Sequence, residues 1–394
     1  MMETSRFSFC FVASRDWENP ECAGGDLYLS NVARSLASRG NRVIYISERF
    51  PGAPFHERLD DVEIRRVERG LGYALRQLRE VFRIRNKVDL IIEEMFGGKK
   101  LPALSLALTR KRLAIAWYQK HDKIFDEQYP QPIASMLRRM ERILVRIYSK
   151  VPVITLSTKS SIELAEMGVN PSKIHIVPSA AVLETVPSRV PFQKREDHLV
   201  FIGKIRKYKR IDHALRCLKR IRESSLDLRK VKLVIAGNVG KGDKQYLRHL
   251  KDLTHELGIE DAVEFRIYPG LIPHKEKASL LGNAKILLQP SPVEGFSMTT
   301  VEANMCGTPV IVSDGVPRDV VSHGDNGFVY PFGDIDSMAS YSDKLLTDAG
   351  LWNQLSANGV SSARKFTWEN SASLLELLAT EVRSSVGRFR REAP

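Results

Sequence analysis

The sequence predicts an α/β protein made of two Rossmann-like domains that face each other across a cleft. Three observations predict this architecture. Apolar strand-like runs alternate with amphipathic helical patterns along almost the whole chain, which is typical of parallel sheets covered by helices on both faces. The alternation stops at a charged, proline-containing segment, 186–198, and then starts afresh. With 394 residues, the chain also exceeds the size at which a single hydrophobic core stops growing.

The elements follow in order along the chain. Short apolar runs predict strands at 7–13, 42–47, 62–67, 88–93, 113–117, 151–155 and 174–177, and then at 199–203, 232–236, 263–265, 284–288 and 310–312. Apolar residues at helical spacing predict helices at 26–38, 73–85, 132–148, 159–167, 211–223, 243–257, 275–281 and 297–306. We therefore predict an N-terminal domain at 1–185, a linker at 186–198 and a C-terminal domain at 199–366. A helix at 367–383 is expected to pack back on the N-terminal domain, and 384–394 to form a frayed basic tail.

The chain has a net charge of +13, which is not spread evenly along it. Between Arg65 and Arg112, thirteen Lys or Arg residues outnumber five acidic ones, a local net charge of +8. The predicted helix 132–148 is also basic, with Arg138, Arg139, Arg142, Arg146 and Lys150 beside an apolar stripe of Met136, Leu137, Met140, Ile143, Leu144 and Ile147. This helix is either a solvated face over a core stripe or a surface for anionic lipid or a phosphate-bearing acceptor. Nucleic acid is not an expected partner, because the basic segments lack interleaved aromatic residues.

The cysteines and the apolar runs indicate a cytoplasmic protein. Cys10, Cys22, Cys217 and Cys306 form neither a CxxC pair nor a zinc pattern with histidine, so reduced thiols are expected. The apolar run 101–108 is too short to span a bilayer and ends in a basic stretch.

Glu294 and Glu302 flank a predicted helix start. The buried strand 284–288 precedes Glu294, and the helix 297–306 carries Glu302 and is closed by Gly307. The helix N-terminus between the two carboxylates suits a phosphate. Because carboxylates repel phosphate, hydroxyl groups are their better targets. A phosphate flanked by hydroxyl groups is typical of a nucleotide sugar. Alternatively, Glu294 is a solvated loop residue and Glu302 an ordinary helix residue.

Three more loops follow predicted strands, where open α/β sheets bind ligands. Gly24-Gly25 would let a ligand approach the backbone, or is only a helix-entry turn. Gly203 precedes a basic run that would hold a leaving diphosphate or only improve solubility: Lys204, Arg206, Lys207, Lys209 and Arg210. His121 would contact a reacting sugar or is structural.

Together these motifs resemble the retaining glycosyltransferases of family 4, which have the GT-B fold. The similarity covers most of the chain and is strongest over 199–332. Glu294-Gly-Phe-Ser-Met is similar to the family's Glu-Gly-Phe-Gly-Leu loop, and Glu302 corresponds to the second Glu of the pattern. Gly307-Thr-Pro-Val resembles the turn and strand that follow in the family. Ser297 replaces a glycine of this pattern, and Lys204 replaces the arginine of the family's Gly-Arg pair.

The resemblance implies a role for each residue. Glu294 would contact the hydroxyls of the donor sugar, Glu302 those of the ribose, and Lys204 and Lys209 the diphosphate. The loop 268–273 lies where the family contacts the base. The implied catalytic residues are His121, Glu294, Lys204 and Lys209. The implied donor-binding residues are Gly24, Gly25, Gly203, Lys204, Lys209, Glu294, Gly295, Phe296, Ser297, Met298, Thr299 and Glu302.

We therefore predict a retaining glycosyltransferase that moves a sugar from a nucleoside diphosphate sugar to an acceptor hydroxyl. Neither a metal nor another cofactor is expected, because lysines and the helix dipole supply the positive charge. The acceptor is expected to be a lipid-linked or anionic glycan, reached from the cytoplasm at the inner face of a membrane. Two alternatives remain, a nucleotide-sugar epimerase of the same fold and a non-catalytic protein that binds an anionic surface.

Overall fold

The structure is a computed structural model that describes residues 7–95, 112–183 and 189–391. The chain divides into two compact units. The first consists of Met1–Gln119, Arg139–Ala180 and Thr367–Pro394, and the second of Lys120–Arg138 and Ala181–Phe366. Part of the basic segment 65–112, the start of the expected linker and the last three residues of the tail lie outside the described residues.

The described elements follow in chain order. They are β1 (Ser8–Val12), α1 (Gly24–Ser38), β2 (Arg42–Glu48), β3 (His56–Leu59), β4 (Val62–Val67), α2 (Tyr73–Ile84), β5 (Leu90–Glu94), β6 (Leu113–Ala116), α3 (Asp122–Gln128), α4 (Gln131–Tyr148), β7 (Val153–Thr155), α5 (Thr158–Glu166), β8 (Ile174–Ile176), β9 (Glu196–Ile202), α6 (Ile211–Ser224), β10 (Lys232–Asn238), α7 (Lys244–Leu257), β11 (Val263–Tyr268), α8 (His274–Asn283), β12 (Ala284–Gln289), α9 (Met298–Met305), β13 (Val310–Ser313), β14 (Gly327–Tyr330), α10 (Ile335–Thr347), α11 (Ala349–Ala363) and α12 (Trp368–Arg391).

The first unit contains an eight-stranded sheet in the order β3-β4-β2-β1-β5-β6-β7-β8. Neighbouring strands are parallel except β3 and β4, which form an antiparallel pair at one edge. The chain adds strands on one side of β1 and then on the other, so the order reverses between β1 and β5. Apolar side chains of the central strands, among them Cys10, Ile44 and Ile91, are fully buried in this unit's core.

The second unit contains a six-stranded, all-parallel sheet in the order β11-β10-β9-β12-β13-β14. Its order reverses between β9 and β12. Phe201, Ile235 and Leu288 from three neighbouring strands are completely buried together with residues of α6 and α10. Each unit therefore has its own hydrophobic core.

Helix α12 packs on the first unit. Arg39 forms an ion pair with Glu376 at 2.6 Å, and the Asn41 amide donates to the same carboxylate at 2.7 Å. The Ser371 hydroxyl donates to the Pro178 carbonyl at 2.6 Å. The helix runs to Arg391, so most of the expected frayed tail is helical. No proline interrupts this segment before Pro394.

Two boundaries differ from those expected from the sequence. Strand β9 starts at Glu196, inside the predicted linker 186–198. The segment 120–138, which contains His121, belongs to the second unit and not to the N-terminal domain in which we expected it. Side-chain contacts explain this placement, because Arg210 pairs with Glu127 at 3.3 Å and Lys123 donates to the Pro292 carbonyl.

The other expectations concern cysteines and membrane spans. All four cysteines are buried and free. Among the described residues, the helices include none with the length and apolar content that a bilayer crossing would need.

Candidate functional site

The predicted site residues of the second unit lie at the ends of β9 and β12. These two strands are hydrogen-bonded neighbours, and the strand order reverses between them. In open α/β sheets, ligands bind beyond the carboxyl ends of strands at such a reversal. Gly203 directly follows β9, and the loop with Glu294 follows β12. The fold therefore brings the two predicted halves of the site to one edge of the sheet.

The Glu294 carboxylate is held through one of its oxygens. Lys209 Nζ lies 2.5 Å from Glu294 Oε1, and Gln289 Nε2 donates to the same oxygen at 2.7 Å. Among the described residues, none donates to Glu294 Oε2. Burial lowers the pKa of Lys209, but the Glu294 carboxylate and the Tyr208 hydroxyl raise it by more, and the net pKa lies above its usual value. Lys209 is therefore a cation, and the second carboxylate oxygen of Glu294 can accept a hydrogen bond from a hydroxyl group.

The Glu302 carboxylate follows the same arrangement. Glu302 is fully buried on α9, and Lys277 Nζ lies 2.5 Å from its Oε1. The Val182 amide donates to Oε1 at 3.0 Å. Oε2 is buried and has no partner in the described part of the chain. An unpaired buried carboxylate oxygen is costly, so a hydroxyl donor at this point would be stabilising.

Helix α9 begins between these two carboxylates. Its N-cap residue is Ser297, which has left-handed backbone angles of φ 76° and ψ 72°. Glycine adopts this conformation without strain, and glycine is the residue that the family pattern has here. The Ser297 hydroxyl lies 2.7 Å from that of Thr300. The first amides of a helix have no intrahelical acceptor, so those of Met298 and Thr299 can face an anion.

Arg195 fixes the opposite end of α9. This buried guanidinium donates to the carbonyls of Cys306 and Gly307, at 2.8 and 3.1 Å, and to the Thr308 hydroxyl at 2.5 Å. Burial lowers the pKa of Arg195 to about 10. A cation at a helix C-terminus complements the helix dipole. Arg195 thus helps to hold the helix that carries Glu302.

The loop after β9 carries the predicted lysines. Lys209 belongs to a turn, 207–209, against which α3 packs. Arg210 follows with left-handed angles, φ 50° and ψ 47°, and is tied to Asp212 at 3.0 Å. Lys204 directly follows Gly203, close to the turn at Gly240. The structure brings Lys209 to Glu294, and the role of Lys204 stays a prediction.

His121 is placed at the start of α3. Its ring stacks on Phe125, with centroids 5.6 Å apart, and its carbonyl accepts the Phe125 amide. Because α3 packs on the turn that carries Lys209, His121 and Lys209 lie in the same unit. A contact of His121 with a sugar stays a prediction.

Gly24 and Gly25 lie in the first unit, at the start of α1. A Cβ at Gly25 would lie 2.7 Å from the Tyr118 ring, so a side chain there would require this ring to shift. The Asp26 carboxylate accepts the Ala23 amide at 2.9 Å. Burial, and then the Glu94 carboxylate, raise the pKa of Asp26 to about 7. These residues lie at the reversal of the first sheet, and their expected contact with phosphate is untested.

Metal binding was not expected for this site. In the ranges that the structure describes, no three His, Cys, Asp or Glu side chains are grouped as a metal site would require. The independence of metal stays a prediction.

Two family models match the chain. Residues 23–184 match the model described as Glycosyltransferase Family 4, and residues 184–362 match the model described as Glycosyl transferases group 1. The two matches adjoin and together cover most of the chain. The chain belongs to the family 4, group 1 glycosyltransferases.

Known proteins agree with this assignment. This glycosyltransferase is 29% identical over 258 residues to the D-inositol 3-phosphate glycosyltransferase of Stackebrandtia nassauensis. The aligned residues cover 62% of this chain and 56% of that protein. The chain thus spans a little over half of this relative's length. The sucrose-phosphate synthase of Thermosynechococcus elongatus matches 96% of the chain and all of its own, with a TM-score of 0.79 and 18% identity. Anabaena HepE in complex with UDP-glucose matches 95% of the chain and all of its own, with a TM-score of 0.74 and 16% identity. These likenesses confirm the predicted GT-B fold.

Three residues of this glycosyltransferase's site were missed by sequence reasoning. Lys277 and Gln289 hold the two glutamates, and Gly237 lets the ends of β9 and β10 meet, because a Cβ there would lie 1.8 Å from the Gly203 carbonyl oxygen. The glycine after an apolar strand was a usable signal for Gly237. Lys277 is one of several lysines on a polar helix, so nothing in the sequence singled it out.

Proposed function

We propose that this glycosyltransferase is a retaining enzyme that uses a nucleoside diphosphate sugar as donor. One observation carries the proposal. Glu294 and Glu302 each pair with a lysine through Oε1, on either side of the α9 N-terminus, and no described residue donates to their Oε2 atoms. This pattern of hydroxyl acceptor, anion site and hydroxyl acceptor fits a sugar, a diphosphate and a ribose. Glu294 would take the sugar and Glu302 the ribose.

The same groups can support the transfer step. The bond between the sugar's anomeric carbon and the phosphate oxygen breaks while the acceptor oxygen bonds to that carbon from the same face. The acceptor's proton moves to the departing phosphate oxygen. Lys209 has three N–H donors, so it can keep Glu294 and still bind the leaving diphosphate together with the α9 amides. Lys204 would add charge to this clamp, and His121 would contact the reacting sugar. The positive charge is then supplied without a metal.

A uridine nucleotide is the first donor to test, because the structurally similar HepE binds UDP-glucose. For the acceptor we propose a lipid-linked or phosphate-bearing hydroxyl compound at the cytoplasmic face of a membrane. Two observations support this choice. The relative from S. nassauensis is named for D-inositol 3-phosphate, and the segment from Arg65 to Arg112 of this chain has a net charge of +8.

Donor binding and transfer can be tested separately. UDP-, GDP- and ADP-sugars are screened by thermal shift, because a ligand that binds only the folded state raises the melting temperature. Transfer is then measured with the bound donor and an acceptor extract, and the anomeric configuration of the product is read by NMR. We expect Glu294→Gln and Lys209→Ala each to lower kcat/KM by about 100-fold or more. The matched controls, Glu256→Gln and Lys244→Ala, change exposed residues of α7 and should retain full activity.

Each part of the proposal has its own contradicting result. Full activity of Lys209→Ala would remove this lysine from the diphosphate clamp. An inverted product would contradict the retaining mechanism. Isomerised nucleotide sugar in the absence of acceptor would identify an epimerase, and donor binding with no turnover would indicate a non-catalytic protein.

A further inference from the structure

Helix α4 exposes an apolar stripe. Ile133, Met136, Met140 and Ile143 are spaced three and four residues apart, so they lie along one face of the helix. Their exposed fractions are 44, 61, 44 and 47%. A row of four large apolar side chains at this exposure is unfavourable in water and indicates an interaction surface.

The stripe is separate from the face that packs on the protein. The buried residues of α4 are Ala134, Glu141, Val145 and Tyr148, and their positions lie on the other side of the helix from the stripe. The sequence left open whether Met136, Met140 and Ile143 cover a core. The structure shows that these three residues do not cover a core.

A row of arginines lies beside the stripe. Arg139, Arg142 and Arg146 are exposed, and the described residues provide no ion-pair partner for any of them. Arg139 is one helical turn from both Met136 and Ile143. The only acidic residue of the helix is Glu141, which is buried and accepts from the Trp117 indole. The solvent side of α4 is therefore apolar along one half, and the charged residues of the other half are all arginines.

We propose that this face of α4 docks on an anionic membrane surface. The apolar side chains would enter the boundary between headgroups and acyl chains, and the arginines would contact anionic headgroups. A second copy of the chain is a poorer occupant, because pairing two such helices would bring the arginine rows together without an acidic partner. The inference deepens the proposed function by naming the surface that meets the membrane carrying the acceptor, and it rests on that function only for the acceptor's location.

The test is sedimentation of the full chain with vesicles. We expect binding to vesicles with 30% phosphatidylglycerol in phosphatidylcholine, little binding to pure phosphatidylcholine, and weaker binding at high salt. An arginine near an anionic surface contributes about 1 kcal/mol, or about fivefold in affinity. Arg142→Gln with Arg146→Gln should therefore weaken binding roughly 25-fold. Met136→Gln with Met140→Gln, which leaves the charge unchanged, should weaken it about tenfold or more.

A matched control and a separate readout make the result decisive. The control carries Leu377→Gln and Arg216→Gln, one exposed leucine and one exposed arginine on other helices, and should bind like the unmodified chain. The donor thermal shift should be the same in all variants, so its loss would indicate failure of the fold or of the proposed donor site instead. The inference is overturned if the unmodified chain does not bind anionic vesicles or if both α4 variants bind as well as the control. A stable dimer that the methionine changes dissociate would also overturn it.

Discussion

At the scale of single residues, Lys277 neutralises the buried Glu302 carboxylate. The two groups are 2.5 Å apart, and Glu302 is completely shielded from solvent. Removing one partner of a buried ion pair leaves an uncompensated charge and typically costs about 3–5 kcal/mol. We expect Lys277→Met to lose stability by an amount of this order at pH 8. Urea denaturation at pH 8 measures the loss.

The loss should come from the uncompensated charge of Glu302 and not from the lost packing of the Lys277 side chain. Removing both charges should therefore restore much of the stability that Lys277→Met loses. Lys277→Arg, which keeps the charge, and the double change Lys277→Met with Glu302→Gln, which removes both charges, serve as controls. Equal destabilisation by Lys277→Met and by the double change would mean that the lysine acts through packing and not through charge.

The sequence predicted three of the four residues that form the two lysine–glutamate pairs, and it missed Lys277. Glu294, Glu302 and Lys209 occur in a recognisable order and follow predicted strands. Lys277 lies 25 residues from Glu302, on a helix with Lys275 and Glu276 nearby, so only the fold shows which side chain reaches the carboxylate. The serine at 297 gives no sign of its left-handed backbone, and only the glycine that the family pattern has at this position indicates a positive φ. The pairing of Lys209 with Glu294 is a third such case, since the sequence suggested separate targets for the two residues.

At the scale of elements, the first turn of helix α1 contains Asp26, whose surroundings favour the protonated carboxyl group over the carboxylate. The carboxyl of Asp26 is buried near that of Glu94, and its pKa is raised to about 7 from an ordinary value of 3.8. Between these two values the folded state holds a proton that the unfolded state has lost, so stability falls as pH rises from about 4 to 7. Asp26→Asn keeps an oxygen for the Ala23 amide and removes the titration. We expect this variant to be more stable than the natural protein at pH 8, by about 2 kcal/mol.

The comparison at pH 4 is the internal control for this change. Near that pH the Asp26 carboxyl is largely protonated in the folded protein, so Asp26→Asn should bring little or no gain. Thermal unfolding of both proteins at pH 4 and pH 8 gives the difference. A gain of the same size at both pH values would show that the asparagine stabilises α1 without any contribution from the charge.

The sequence predicted those helices and strands whose apolar residues follow a regular spacing or form a continuous run. Buried parallel strands such as β9 and β12 are continuous apolar runs, and their bounds agree within a few residues. The antiparallel edge strand β3 has the sequence His-Glu-Arg-Leu and its residues are partly or fully exposed, so no apolar pattern marks it. Helix α3 has seven residues and one buried side chain, and it was missed for the same reason. Its assignment to the second unit depends on contacts with distant residues, which no local pattern contains.

At the scale of the whole molecule, each unit has a core of its own and should unfold as a separate cooperative transition. The donor residues Lys209, Glu294 and Glu302 all lie in the second unit, so UDP should raise mainly one transition in calorimetry. At 100 times its Kd, a ligand adds about 2.7 kcal/mol of stability. For a unit of this size that corresponds to about 5–10 °C.

The other transition should respond to helix α12. Glu376 accepts from both Arg39 and Asn41 in the first unit, and it is partly buried. Glu376→Ala leaves these two donors without their carboxylate, so it should lower the melting temperature of the first unit by a few degrees, equivalent to about 1–2 kcal/mol. Arg383→Gln, an exposed change on the same helix, is the control and should shift neither transition. If UDP and Glu376→Ala both change the melting temperature of the same transition, the two units unfold together. The prediction of two independent transitions is then wrong.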